Sequence, residues 1–248
     1  MLRKVFLLLN LIEFSLTAFK PHRFSHLNNI WGCHSFLKAN FKRFLICASL
    51  ISVNLTASPV SAANAAKPVI LVYGDSLSAA YGIAQEQGWV ALLQQRLKQQ
   101  KLNYAVINAS ISGETTSGGL SRLEKTLKEH QPKLILIELG ANDGLRGLPI
   151  NEMRKNLEAM ITTTQKYKAK VILLGMKIPP NYGLKYTRDF KEVYETLAKQ
   201  YKLPLVPFLL DGVAGKHELN QDDGLHPLAV AEPAVLNNVW DVVEDTIK

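Results

Sequence analysis

Ser76 stands directly behind a run of apolar residues, in the stretch VILVYGDSLSAAYG at positions 69–82. A serine hydroxyl is a weak nucleophile unless a base takes its proton and a third group orients that base. Near the other end of the chain, Asp223 and His226 stand three residues apart, so that one turn can place the carboxylate on one imidazole nitrogen. The other nitrogen is then free for Ser76. These residue types predict acyl transfer, with Ser76 as nucleophile, His226 as base and Asp223 as its partner.

Acyl transfer also requires hydrogen-bond donors for the oxyanion that develops on the substrate. The backbone N–H groups of Ser76 and Gly113 and the side-chain amide of Asn142 could supply three. Deleting one such donor typically costs about 3–4 kcal/mol of transition-state stabilisation. We therefore predict that Ser76, Gly113 and Asn142 form an oxyanion hole.

Each of these motifs also has an ordinary structural interpretation. Gly-Asp-Ser after a strand is usually a turn or a helix cap, and Asp75 is better interpreted as a turn residue than as the acid of a triad. Asn142-Asp143-Gly144 is likewise typical of a turn. Catalysis is favoured only because the four segments all follow predicted strands.

Five short runs rich in Val, Ile and Leu indicate buried parallel strands, at 69–73, 104–108, 134–139, 171–175 and 205–208. Amphipathic helical patterns lie between them, and the last spans 228–247 with Pro233 near its start. This alternation predicts an α/β, flavodoxin-like, three-layer doubly wound fold with a five-stranded parallel sheet. Ligands of such folds bind at the carboxyl ends of the strands, where the candidate residues stand.

The four segments resemble the four sequence blocks of the SGNH/GDSL hydrolases. The matching strings are GDSLS at 74–78, SGETTSGG around Gly113, GAND at 140–143 and DGLHP at 223–227. GANDGLRGLP and IPPNYG further resemble the bacterial periplasmic esterase and thioesterase branch of that family. The resemblance implies a serine hydrolase of carboxylic esters and thioesters, including lysophospholipids, that needs no metal and no cofactor. It carries the roles named above onto Ser76, Gly113, Asn142, Asp223 and His226.

The loops around the predicted site contain apolar residues that could bind an acyl chain. Leu145 and Leu148 could form one wall, and Ile178 and Pro179 the other. The alternative is that the leucines only cap the core. An open groove with an apolar wall suits acyl esters, thioesters or lysophospholipids better than acetylated glycans.

Two other functions remain open from the residues alone. A metal-dependent phosphoesterase could use the GD and GND segments in its metal-binding loops, but it needs clustered ligands. Residues 67–248 hold three histidines and no D-x-H sequence. A non-catalytic flavodoxin-like binding domain is the second alternative. An α/β-hydrolase is disfavoured, because the residue two after Ser76 is Ser78 where G-x-S-x-G requires glycine.

Charge and cysteine are concentrated in the first 66 residues. The chain of 248 residues has a formal charge of +8, but positions 1–66 hold seven basic residues and one acid, which leaves 22 basic and 20 acidic residues in 67–248. That remainder has no basic stripe with interleaved aromatics, so we expect no nucleic-acid partner. Both cysteines, Cys33 and Cys47, also lie in the first part. A disulfide framework, a thiolate metal site and a cysteine nucleophile are therefore excluded from 67–248.

The segment KRFLICASLISVNLTASPVSAANAA at 42–66 has the layout of a secretory signal, with basic residues, an apolar core at 44–55 and small residues at 62–65. We predict a leader at 1–66 that contains a signal peptide at about 37–65, cleaved near 62–65, with 1–36 an over-extended start. An uncleaved membrane anchor is the alternative. Residues 67–248 are predicted to be a single domain of an exported, periplasmic or secreted, monomeric enzyme.

Overall fold

The computed structural model describes residues 67–248. The predictions for the leader, the signal peptide, the start of translation and a membrane anchor all concern residues outside this range. Within residues 67–248, no helix combines the length and the apolar character needed to cross a membrane.

A five-stranded parallel sheet forms the centre of the fold, as predicted. Its order is β2-β1-β3-β4-β5. The strands are β1 (Val69–Gly74), β2 (Ala105–Asn108), β3 (Leu134–Glu138), β4 (Lys170–Leu174) and β5 (Leu205–Val206). β1, β3 and β4 are buried along almost their whole length, which explains their unbroken Val, Ile and Leu content. β2 is only half-buried because it lies at an edge of the sheet.

Six helices of the described part of the chain cover the sheet on both sides. They are α1 (Trp89–Gln99), α2 (Thr116–His130), α3 (Ala141–Leu145), α4 (Ile150–Lys166), α5 (Leu184–Tyr201) and α6 (Glu232–Ile247). α1 packs against α6, while α4 packs against both α2 and α5. Leucine, valine and aromatic side chains from these helices and from the sheet form one continuous core. The predicted α/β doubly wound fold is therefore confirmed.

The ends of strands β1 to β4 differ from the predictions by one residue, and three local differences are larger. β5 contains two residues, where the prediction placed four at 205–208. The last helix starts at Glu232, because Pro233 occupies its first turn and 229–231 form a separate 3-10 turn. Asn142-Asp143-Gly144, for which a turn was the ordinary structural interpretation, lies in the short helix α3.

The strand order reverses at β1, which lies between β2 and β3. Chain segments that leave β1 and β3 therefore diverge to opposite sides of the sheet and leave a crevice at its carboxyl edge. Ser76 is the second residue after β1, and Asn142 lies in α3, four residues after the end of β3. The topology thus places both residues at the crevice.

Candidate active site

Ser76, His226 and Asp223 form a chain of short hydrogen bonds. His226 Nε2 lies 2.8 Å from Ser76 Oγ, and His226 Nδ1 lies 2.6 Å from Asp223 Oδ2. The other carboxylate oxygen, Asp223 Oδ1, accepts the backbone N–H groups of Leu225 at 2.8 Å and His226 at 3.0 Å. The carboxylate is thus fixed by the loop that carries the histidine. The three predicted triad residues are brought together with the geometry of a nucleophile, a base and an orienting acid.

The environment of Asp223 keeps its carboxylate ionised. Partial burial acts to raise the pKa, but the two backbone donors and the imidazole outweigh it, so that the pKa of Asp223 lies below its usual value. An ionised Asp223 accepts the proton on Nδ1 of His226. That tautomer leaves Nε2 as the acceptor that faces Ser76.

The turn after β1 presents Ser76 to the crevice. Asp75 Oδ1 accepts the backbone N–H of Leu77 at 3.1 Å, and the N–H of Ala79 donates to the Asp75 carbonyl at 2.9 Å. The first of these bonds is an Asx turn, in agreement with the interpretation of Asp75 as a turn residue. Asp75 does not touch the imidazole of His226, which is held by Asp223.

The two other oxyanion candidates lie on neighbouring segments. Asn142, in the first turn of α3, donates one amide hydrogen to Asp75 Oδ2 at 3.0 Å. Gly113 lies in the loop after β2 with φ of +79°, a conformation that side-chain-bearing residues rarely adopt. Its carbonyl accepts Arg146 Nη2 at 2.9 Å, which ties the Gly113 loop to the end of α3. Ser76 and Asn142 line one cavity with His226.

Two buried carboxyl groups, those of Asp75 and Glu138, lie next to the segment that carries Ser76. Only Asp75 was singled out from the sequence. Glu138, the last residue of β3, is fully buried, and its Oε2 accepts the backbone N–H of Asp75 at 3.1 Å and the hydroxyl of Ser78 at 2.8 Å. Burial raises the pKa of Asp75 to about 6 and that of Glu138 well above its usual range. The proximity of the negative charge on Asp75 further raises the pKa of Glu138.

A mostly apolar cavity of about 160 Å³ opens beside Ser76. Leu145, Ile178 and Pro179 line it, in the positions expected for acyl-binding residues. The predicted residue Leu148 is not among the residues that line this cavity, and its side chain is 39% exposed. The remaining apolar lining residues were not predicted from the sequence; they are Leu77, Ala141, Met176, Leu210 and Leu225. Met176 follows β4, and its position at a strand end could have marked it as a candidate.

No set of three or more His, Cys, Asp or Glu side chains within residues 67–248 is arranged to hold a metal ion. The carboxyl groups near Ser76 instead accept hydrogen bonds from protein donors.

Known proteins are similar to this chain over most of the described residues. A family model described as "GDSL-like Lipase/Acylhydrolase family" matches residues 72–230. "Esterase TesA" of Pseudomonas aeruginosa is 49% identical over 181 residues, which cover 73% of this chain and 90% of that protein. "Thioesterase 1/protease 1/lysophospholipase L1" of Escherichia coli K12 is 40% identical over 69% of this chain and 81% of that protein.

A solved structure shares both sequence and fold with this chain. It is the psychrotrophic esterase EstA from a Pseudoalteromonas species, described as inhibited by monoethylphosphonate. The two are 41% identical with a TM-score of 0.70, and the match covers 73% of this chain and 99% of EstA.

Proposed function

The chain belongs to the GDSL-like lipase/acylhydrolase family and is an ester-bond hydrolase, and on that premise we propose that it works through an acyl-enzyme formed on Ser76. The observation that carries the proposal is the continuous set of hydrogen bonds from Ser76 Oγ to His226 and from His226 to Asp223. The phosphonate inhibition of EstA supports it, since phosphonates react with activated serines.

The reaction has two steps, in both of which His226 accepts and then donates a proton. Ser76 Oγ attacks the acyl carbonyl carbon while His226 Nε2 takes the hydroxyl proton, and the imidazolium then gives this proton to the departing alcohol or thiol. In the second step His226 Nε2 takes a proton from a water molecule whose oxygen attacks the acyl carbonyl carbon, and the imidazolium returns this proton to Ser76 Oγ as the bond between the acyl carbon and Oγ breaks. The products are the carboxylic acid and free Ser76. Asp223 stabilises the imidazolium in both steps.

The negative charge on the carbonyl oxygen is stabilised by the N–H groups of Ser76 and Gly113 and by the amide of Asn142. An amide has two hydrogens. Because one hydrogen of Asn142 is bound to Asp75 Oδ2, the amide plane is fixed and the second hydrogen remains for the oxyanion. Such preorganised donors need no rearrangement when the charge develops.

The substrates are small acyl esters and thioesters, including lysophospholipids. The names of the relatives, esterase and thioesterase/lysophospholipase, support this range. The acyl chain occupies the cavity between Leu145 and the Ile178–Pro179 side, since this is the apolar space next to Ser76. All three triad residues come from one chain, so the proposed site is complete in a monomer, and the proposed chemistry calls for no cofactor. The near balance of basic and acidic residues in 67–248 supports the absence of a nucleic-acid partner.

A Ser76→Ala variant tests the proposed nucleophile. We expect kcat for nitrophenyl esters to fall by a factor on the order of 10⁴–10⁶, and labelling by a fluorophosphonate to disappear. Ser121→Ala, which alters an exposed serine of α2, is the matched control and should keep both. Undiminished hydrolysis by folded Ser76→Ala would refute the proposal. Loss of activity with EDTA, without fluorophosphonate labelling, would favour a metal-dependent phosphoesterase instead.

We also propose that the enzyme is exported, to the periplasm or beyond, after cleavage near 62–65. The layout of residues 42–66 supports this proposal, as does the confinement of the excess positive charge to 1–66. Mass spectrometry of the protein from the producing cell should find an N-terminus at 63–67 and no peptides from 1–36. An intact 42–66 segment would instead indicate a membrane anchor.

A further inference from the structure

The proposed base lies in a loop that belongs to no strand of the sheet and to no long helix. The loop at 219–228 is closed by its own backbone: the N–H of Gln221 donates to the His226 carbonyl at 2.7 Å, and the N–H of Leu228 donates to the Leu219 carbonyl at 2.8 Å. These bonds give the loop its shape. They do not fix its distance from Ser76, which lies 150 residues away along the chain.

The side chain of Gln221 connects the 219–228 loop to the segment that follows Ser76. Its Nε2 donates to the carbonyl of Tyr81 at 2.8 Å and to the carbonyl of Pro227 at 3.0 Å. Pro227 is the residue after His226, and the N–H of Tyr81 donates to the Ser76 carbonyl at 3.2 Å. One amide group thus joins the backbone next to the base to the backbone next to the nucleophile.

Two further contacts show that this junction is closely packed. The ring of Tyr81 lies on the imidazole of His226, with centroids 4.6 Å apart and planes tilted by 42°. Gly82, with φ of +75°, leaves room for the amide, because a Cβ at this position would lie 2.1 Å from Gln221 Oε1. The backbone after Tyr81 is therefore shaped around the Gln221 side chain.

We propose that Gln221 is a positioning residue that holds His226 Nε2 at hydrogen-bond distance from Ser76 Oγ. This inference rests on the proposed function, since it assigns a role relative to the proposed nucleophile and base. Both amide hydrogens are used on carbonyl oxygens of the two segments, so Gln221 fixes their separation as well as their relative orientation. A displacement of about 1 Å between catalytic groups can reduce a rate by about 10²-fold.

The variant Gln221→Met tests the role with little change in side-chain length and with no donor. We expect kcat to fall about 10- to 100-fold, KM to stay within about twofold, and the midpoint of thermal unfolding to change by a few degrees at most. The rate of fluorophosphonate labelling at Ser76 should fall by the same factor as kcat. A purely structural role would lower the unfolding midpoint without this selective loss in kcat.

A second variant disturbs the contact between the Gln221 side chain and the segment after Tyr81 by a change in that segment. Gly82→Ala places a methyl group against Gln221 Oε1 and also introduces strain at a positive φ. Gly215→Ala is its matched control, because Gly215 has φ of +78° and an added Cβ would meet no atom of residues 67–248 within 4 Å. We expect both variants to lose similar stability, but only Gly82→Ala to lose turnover.

Native kcat and labelling rate in Gln221→Met would overturn the inference, as would a rise in KM with kcat unchanged. Equal losses of kcat in Gly82→Ala and Gly215→Ala would overturn it as well. Failure of the proposed function would give a different result. The fluorophosphonate would then not label the unaltered protein, and the Ser76→Ala variant would keep its activity.

Discussion

At the scale of single residues, Asp75 and Glu138 are two buried carboxyl groups whose pKa values are both raised but whose hydrogen-bond partners differ. Both oxygens of Asp75 accept hydrogen bonds, from the N–H of Leu77 and from the Asn142 amide. Glu138 accepts through Oε2 alone, and its buried Oε1 has no partner among residues 67–248. The distribution of donors therefore favours the negative charge on Asp75 and a proton on Glu138. In this state Asp75 orients the amide of Asn142.

Exchanging each acid for its amide shows which one carries the charge. Glu138→Gln replaces a neutral acid with a neutral amide, so we expect kcat within about fivefold of the unaltered enzyme. Asp75→Asn weakens the acceptor that holds Asn142, and hydrogen bonds to charged groups contribute about 1.5–3 kcal/mol, so kcat should fall about 10- to 100-fold with KM unchanged. Steady-state kinetics at about pH 7.5, above the usual histidine pKa, with thermal unfolding as the check on folding, measure both. The reverse order of activities would place the charge on Glu138.

At the scale of elements, the strands and long helices could be predicted because burial dictates their residue types. A strand covered on both faces needs an unbroken apolar run, and a helix over a sheet needs an apolar stripe. The short helix α3 could not be predicted in this way. Its residue Asp143 is buried because its carboxylate accepts the N–H of Thr116 at 2.8 Å and the Thr116 hydroxyl at 2.6 Å. Those tertiary bonds override the turn preference of Asn-Asp-Gly.

In the site, too, the features that local sequence determines were predicted, and those that depend on contacts between distant segments were not. The predicted family, fold class and ester-hydrolase activity are confirmed, while the roles of Ser76, Asp223 and His226 stay predictions supported by geometry. The contributions of Glu138 and Gln221 were not predicted, because each depends on contacts with segments 63 and 140 residues away. A glutamate at the end of an apolar run indicates the end of a strand, and nothing local shows that it is buried.

For the molecule as a whole, buried carboxyl groups determine how stability changes with pH. Burial raises the pKa of Asp75 to about 6 and that of Glu232 to about 7, and it also raises the pKa of Glu138 well above its usual value. The folded protein therefore keeps protons that the unfolded chain, with carboxyl pKa values near about 4, has already released. The free energy of unfolding should decrease as pH rises from about 4.5 to 7.

Glu232 allows this dependence to be tested away from the proposed active site. It is buried at the start of α6, and its Oε2 accepts the N–H of Trp89 at 2.7 Å, which satisfies a donor in the first turn of α1. Gln at this position can still accept that hydrogen bond but cannot ionise. We expect Glu232→Gln to match the unaltered protein in urea unfolding at about pH 4.5 and to exceed it by about 2–3 kcal/mol at about pH 8. Glu129→Gln, at a mostly exposed position, is the control that should change neither value. Equal stability of Glu232→Gln and the unaltered protein at the higher pH would mean that the Trp89 N–H and the positive end of α1 stabilise the ionised carboxylate enough to offset its burial.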